Sequence, residues 1–441
     1  MTKRKIDVNI DIKHLTRVEG HGNIIVNVSN GKIEKCQWQV PESPRFFEAM
    51  VRDRHYSEVA RITSRICGIC SIGHTLASVK ASEDALGIIV SEQTIKLRQL
   101  LKHAENFDSN VLHVYILAAP DLLGAKSVFP LIQTHTDIVR RALNLKRLAH
   151  EWGSAIAGRT THPTTVVPGG FTKLPSLQTL KELKTKLSNS IPDLEATIET
   201  LLSIADKIPD FSRPTEYISL SSDKNYALYE GLVQSILPDH SKQTYAVADY
   251  RSITNEYVSK WSTAKYCKNQ LDSYMVGALA RVNNNYEQLK PQAKTVAEKF
   301  SLSSLCSNPY MNTIAQVIEL VNDIYSSLEI LDDLISHGIY NEELVQPEKF
   351  SKGIAAVEAP RGILFHEYDY SDDGICSGGN FVIPTNQNHA NIQYDFEKLL
   401  PELLEQNKTE EEIELALEML VRAYDPCISC SAHYLKVKFV R

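Results

Sequence analysis

Two C-x-x-C pairs, Cys67-Gly-Ile-Cys70 and Cys427-Ile-Ser-Cys430, stand near opposite ends of a chain of 441 residues. Each pair lets two thiolates converge on one metal, and the two together offer four sulfur ligands. If one centre uses all four, the fold must bring both chain ends to one point. Other readings stay open at this level. A zinc ribbon sets its pairs about 15–20 residues apart, and a thioredoxin-like redox site needs one pair in a βαβ context. The spacing therefore predicts a four-sulfur metal site and leaves the metal's identity undecided. Histidines accompany both pairs: His74 follows Cys70 and His433 follows Cys430. A lone histidine is usually a surface or core residue, but one set close behind a ligand cysteine suits a donor to the site or a further ligand. Asp425-Pro426 fixes the backbone entry to the second pair.

The chain holds 8 cysteines in all. That density is far below a disulfide scaffold, so reduced thiols are expected. The remaining four, Cys36, Cys267, Cys306 and Cys376, are scattered singly and read as small buried hydrophobes. They are too poor a set for an iron–sulfur cluster. A net charge of −7 and a pI near 6.1 argue against nucleic acid or anionic membrane as a partner. No apolar run approaches the roughly 20 residues that span a bilayer. The N-terminus alternates apolar and polar residues and has no apolar core of a signal peptide, so the chain is expected to be cytoplasmic unless a partner's signal exports it.

The first forty or so residues read as β. Ile6, Val8, Ile10 and Ile12 alternate, and Asn30-Gly31 sits between two strand-like runs as a hairpin turn. From about residue 44 the pattern becomes helical. Leu97, Leu100, Leu101, Ala104, Phe107, Val111 and Leu112 predict a long helix over about 92–118. Further helices are expected near 133–157, on both sides of Pro192, over 255–298 and over 311–337. Residues 210–255 admit short strands. Residues 355–390 read as β and loop, with EAPRG and FVIPTNQN as turn-rich pieces. Thr409 and Glu412 form a capping box for a last helix that leads to DPCISCSAH. The acidic run 410–414 reads as a solvated helix start.

Taken together, RVEGHG, RICGICSIGH, GRTTHP with PGG, GALARVNNNY, EAPRG and DPCISCSAH resemble, in order, the successive motifs of nickel–iron hydrogenase large subunits. They run from residue 17 to residue 433, nearly the whole chain. The nearest variant is similar to the cytoplasmic alpha subunits of NAD(P)-linked and sulfhydrogenase-type enzymes of anaerobes. The resemblance implies an α+β fold in one large-subunit domain: a β-rich part (1–44), a long-helix core (45–350), and a mixed β region carrying the C-terminal cysteine motif (351–441).

Residue by residue, the resemblance makes Cys67 and Cys427 terminal ligands of nickel, with Cys70 and Cys430 bridging nickel to iron. The iron would carry carbon monoxide and two cyanides, installed by maturation proteins. Glu19 would be the first proton relay beside Cys427; without the family, a salt bridge to Arg17 would be preferred. Arg361 would overhang the open face, oriented by Asp425. Thr385 would donate to a cyanide, and His74 would stand near a bridging cysteine. Glu48 and His433 would hold a separate hard cation, magnesium or iron, with a carbonyl near Phe381. The implied reaction is reversible heterolytic splitting of H2, with electrons passed to an iron–sulfur small subunit and on to flavin-containing electron-transfer subunits. Two departures stand out. Ser109 occupies a position that is often acidic in respiratory members, and the chain continues past His433, where the family's precursor is usually cut. The alternatives are a hydrogen sensor without turnover or a structural zinc protein. The related quinone-reducing subunit of respiratory complex I lacks the four cysteines.

Overall fold

Alternating side chains build the first sheet. Along Asn23–Ser29 every second residue is buried, the period-two pattern of a strand with one face on the core. This strand pairs antiparallel with Val8–Ile12 on one side and Lys32–Gln39 on the other. The turn places Asn30 at φ 54° and Gly31 at φ 74°, the positive angles that a tight hairpin of this hand requires. The computed structural model describes residues 7–302 and 305–433, so Ile6 lies outside it.

The helices Glu92–Leu112, Thr136–Ala157 and Asn312–His337 form the centre, the first packed against both others. The predicted helix over 92–118 is present but not uniform. It is α-helical to Leu112 and continues as π-helical turns over His113–Ala118. Pro120, near the start of the following turn, has no N–H to offer the preceding carbonyls, which accounts for the widened turn. The apolar stripe of Glu92–Leu112 is buried, and so are Arg98, Lys102, Glu105, Asn106 and Asn110. Pairing makes this tolerable: Arg98 meets Glu83, and both asparagines donate to Glu319.

The helix Ser71–Leu86 lies on an antiparallel sheet of Lys352–Ala359, Gly362–Tyr370 and Cys376–Val382. A further sheet, ordered Tyr274–Met275, Glu216–Ser221, Leu232–Ile236, Lys242–Tyr245, holds short strands of the kind expected over 210–255 and adds Tyr274–Met275 from a stretch expected to be helical. Its strand Glu216–Ser221 is buried on nearly every residue, and such a run carries no period-two signal. Residues 255–298 likewise depart from the helical expectation: short strands come first, then helices Ala278–Asn285 and Pro291–Lys299. Pro192 sits in the first turn of Ile191–Leu202, where a missing N–H costs nothing.

The region after Phe381 corrects a loop expectation, because Pro384–Glu405 is a helix. The polar run PTNQN misleads because its side chains bond to neighbouring backbone. Gln387 donates to the Ile363 carbonyl at 2.7 Å and Asn388 to the Val276 carbonyl at 3.2 Å. The last long helix, Glu410–Ala423, begins with the expected Thr409–Glu412 capping box and buries Ile413, Leu417, Leu420 and Val421. Among the described residues, no helix is long and apolar enough to cross a membrane.

Candidate metal centre

The N-terminal segment reaches the C-terminal cysteine loop because Gly20 lets it. Gly20 has φ 84°, and a Cβ there would come within 2.5 Å of the Ser429 nitrogen. With that room, Glu19 and Cys427 form a parallel β-bridge, and Ile428 N–H donates to the Glu19 carbonyl at 2.9 Å. Arg45 adds a clamp from the side. Its Nη2 donates to the Ile66 carbonyl at 2.8 Å and to the Ser429 carbonyl at 2.5 Å, tying the two cysteine loops together.

The four sulfurs thereby converge. The Sγ atoms of Cys67, Cys70, Cys427 and Cys430 all lie within 4.8 Å of one another, and all four residues are buried. Cys67 and Cys427 are 3.6 Å apart. The sulfurs of Cys427 and Cys430 are in contact with each other. Cys67 Sγ accepts from the N–H groups of Ile69 at 3.3 Å and Cys70 at 3.1 Å. The Cys70 thiol donates to it as well, which lowers the Cys67 pKa with help from Arg361, although burial opposes the shift. Cys70, the donor, is raised for the same reason and by burial. Cys267 and Cys376 are buried elsewhere, while Cys36 and Cys306 are half-buried.

Glu19 is half-buried rather than buried. Its Oε2 lies 3.1 Å from Cys427 Sγ and accepts from Ser429 N–H at 3.1 Å, while Oε1 contacts the Ser429 hydroxyl. Arg17 pairs with Asp121 instead. Arg361 sits in the turn between two strands, buried, with Nε donating to the Asp425 carbonyl at 2.6 Å and Nη2 to its carboxylate at 2.8 Å. Burial works against its charge, but Asp425 and the cysteines outweigh burial and keep the guanidinium protonated. Its Nη1 has no partner among the described residues. Asp425 holds φ 48°, an uncommon backbone for a non-glycine residue. Its other oxygen accepts from Gln316 at 3.1 Å, and Gln316 contacts His113 in the π-helical turns. Ser109 is buried, its hydroxyl unpartnered among the described residues.

Thr385 Oγ1 accepts from Cys427 N–H at 2.9 Å, which leaves its own hydrogen free to donate. His74 is fully buried, with Nδ1 3.1 Å from His366 Nε2. Burial, with His433 and nearby cations, pushes the His74 pKa down to about 3, so the ring is neutral. His433 Nδ1 contacts Glu48, and its Nε2 is unpartnered among the described residues. The Phe381 ring lies 6.4 Å from the His433 ring. Sequence reasoning missed Arg45, Gln316, Ser429 and His366. Ser429 lies inside the second cysteine motif but at a position the ligand pattern leaves open, no motif marks the other three, and periodicity reads such residues only as core or surface.

Four buried soft donors, with the charge of Arg361 bearing on Cys67 and Cys70 and its Nη1 unpartnered among the described residues, suit a thiolate-bound metal with further ligands. A closed structural zinc site would leave that polar atom without work.

A profile of the family described as nickel-dependent hydrogenase matches residues 45–140 and 212–433. Another, described as HoxL-like, matches residues 9–43. The chain is 30% identical over 429 residues to sulfhydrogenase 1 subunit alpha of Pyrococcus furiosus, covering 97% of this chain and 98% of the relative. It is 30% identical over 439 residues to sulfhydrogenase 2 subunit alpha of the same organism, covering 97% and 100%. A solved NAD+-reducing NiFe hydrogenase in the H2-reduced state has a TM-score of 0.88 at 27% identity, over 96% of this chain and 99% of that one.

Proposed function

The chain belongs to the nickel-dependent hydrogenase family and is the catalytic subunit of a NiFe hydrogenase, and from that premise we propose how its own residues divide the work. The observation that carries the reading is the meeting of four cysteine sulfurs from opposite chain ends within 4.8 Å. Cys67 and Cys427 would hold nickel, and Cys70 and Cys430 would hold nickel together with an iron that carries carbon monoxide and two cyanides. When bound, this centre supplies the redox-active metal at which H2 is cleaved heterolytically.

The rest is work for side chains. Glu19, 3.1 Å from Cys427 Sγ, takes the proton from the thiol and passes it outward. Arg361 brings a positive charge and, among the described residues, an unpartnered Nη1 to the site, and its two hydrogen bonds to Asp425 fix its orientation. The Thr385 hydroxyl hydrogen and His74 Nε2, both unpartnered among the described residues, would supply the remaining donors. Glu48 and His433, in contact with each other, would hold a hard cation, magnesium or iron, beside the C-terminal segment.

Each H2 yields two protons and two electrons. The electrons leave to an iron–sulfur small subunit and then to flavin-containing subunits, since the single cysteines of this chain cannot hold a cluster. Maturation proteins install the diatomic ligands. The cytoplasm suits thiolates that must stay reduced. Residues 434–441 lie outside the described residues. Cleavage after His433 is a proposal that intact-mass measurement of nickel-loaded protein decides, a full-length active chain overturning it. A structural zinc site and a sensor are not favoured. Infrared spectroscopy with metal analysis tests the whole reading. Carbon monoxide and cyanide bands with nickel and iron support it, whereas zinc alone without those bands sinks it.

A further inference from the structure

Both cysteine pairs lead into helical turns, and neither leading cysteine caps its own. Cys70 occupies the cap position of Ser71–Leu86 and Cys427 that of Ile428–Ser431, with no side-chain cap bond in either. Their sulfurs face the cluster instead. An uncapped helix start leaves backbone N–H groups without partners, and here they are buried at the first pair and part-buried at the second. A carboxylate from elsewhere in the chain steps in at each place. At the second pair it is Glu19, on Ser429 N–H. At the first it is Glu105, whose Oε1 accepts from Gly73 N–H at 2.7 Å.

Glu105 comes from the neighbouring helix Glu92–Leu112 and is 2% exposed. Its other oxygen pairs with Lys102, on the same helix and itself fully buried. Gly73 makes the approach possible, because a Cβ there would lie 3.0 Å from Glu105 Oε2. In contrast to Glu19, Glu105 has no hydrogen bond to sulfur among the described residues. We infer that Glu105, paired with Lys102, is the cap supplied in space to the Cys70 helix and a positioning residue for the Cys70 thiolate.

The inference rests on the reading of Cys70 as a metal ligand. A charged cap offsets the positive end of the helix and fixes its first turn. In that turn the Cys70 carbonyl accepts from His74 N–H at 3.1 Å, so the ligand and its companion histidine are set together. Lys102 balances the buried charge. It borders a 260 Å3 polar cavity shared with His103, Tyr226 and Tyr229.

The test uses the full chain matured with its partner subunits. Glu105→Ala removes both cap and charge, Glu105→Gln keeps an oxygen for Gly73, and Glu105→Gln with Lys102→Gln removes the charges as a pair. Glu83→Gln breaks the Arg98 pair between the same two helices at the end far from Cys70. Hydrogen exchange over residues 71–76 reads the cap without regard to metal. Infrared bands of the diatomic ligands read the position and charge at Cys70. Glu105→Ala is expected to speed exchange, move the bands and cost about tenfold or more in kcat at unchanged KM. Glu105→Gln should keep the exchange protection but move the bands, and the double variant should bring them back. Unmoved bands and exchange in Glu105→Ala overturn the inference, as does an equal band shift in Glu83→Gln. Absence of the bands from unmodified protein overturns the ligand reading beneath it, while the exchange result still decides the cap.

Discussion

Glu19 and Arg45 illustrate what a single side chain contributes here. Glu19 is a carboxylate shared between a sulfur and a backbone N–H. Glutamine could keep the second contact but could not carry a proton. Glu19→Gln is expected to lower H2 turnover by about 100-fold or more, with nickel content unchanged by metal analysis. Normal turnover would return Glu19 to a purely structural role. Arg45 does the reverse, holding geometry without touching sulfur. Arg45→Met should reduce nickel per chain about tenfold at a fixed nickel supply, because the two loops then meet only when the metal gathers them. Neither role is readable from local sequence. Glu19 stood out only through the resemblance, and its obvious neighbour Arg17 turns to Asp121 instead.

At the scale of elements, close approach of backbones sets the strictest demands. Gly353 presses strand Lys352–Ala359 onto helix Ser71–Leu86, and a Cβ there would fall 2.2 Å from the Ala81 carbonyl. Gly353→Ala should cost about 1–3 kcal/mol or more by overpacking, seen as a lower denaturant midpoint. Thr409→Ala removes half of the capping box and should cost only about 1 kcal/mol, with turnover unaffected. A larger loss from the second than from the first would mean that the helix leading to Cys427, rather than the helix under Cys70, limits stability. The sequence showed Thr409 plainly, since a capping box is local. It hid Gly353, whose importance lies in what packs across from it.

For the whole molecule, His389 ties the chain ends together. Trp38 Nε1 donates to His389 Nδ1 at 3.0 Å, and His389 Nε2 lies 2.9 Å from the Ser431 hydroxyl. Burial pushes its pKa down to about 3 from 6.5. The folded state therefore prefers neutral His389. The stability from that preference is complete above about pH 6.5 and is lost as the pH falls toward 3, at up to about 1.4 kcal/mol per pH unit. Thermal midpoints measured between pH 7 and 4 should fall less steeply in His389→Gln; an identical slope counts against the assignment. Metal removal acts at the same scale, since its ligands come from both ends of the chain. Stripping nickel and iron should lower the thermal midpoint by calorimetry, and an unchanged midpoint would mean that the ends are held without them.

The sequence alone determined the elements whose cause is local and the ligands whose chemistry is repeated. The Asn30-Gly31 hairpin, the stripe on Glu92–Leu112, the capping box and the two cysteine pairs all depend on neighbours a few residues away. Tertiary structure decided whatever depends on a partner far along the chain. It made PTNQN the start of a helix by giving its amides the carbonyls of Ile363 and Val276 to bind. It turned a buried, non-alternating run into the strand Glu216–Ser221. It also set Glu105 on Gly73, Arg45 across two loops and Glu19 beside Cys427. A charged side chain reads as solvent-facing until a partner is seen, because only pairing makes its burial tolerable. Local pattern carries no record of that partner, so the cysteines announced the centre while the residues that hold it in shape stayed silent.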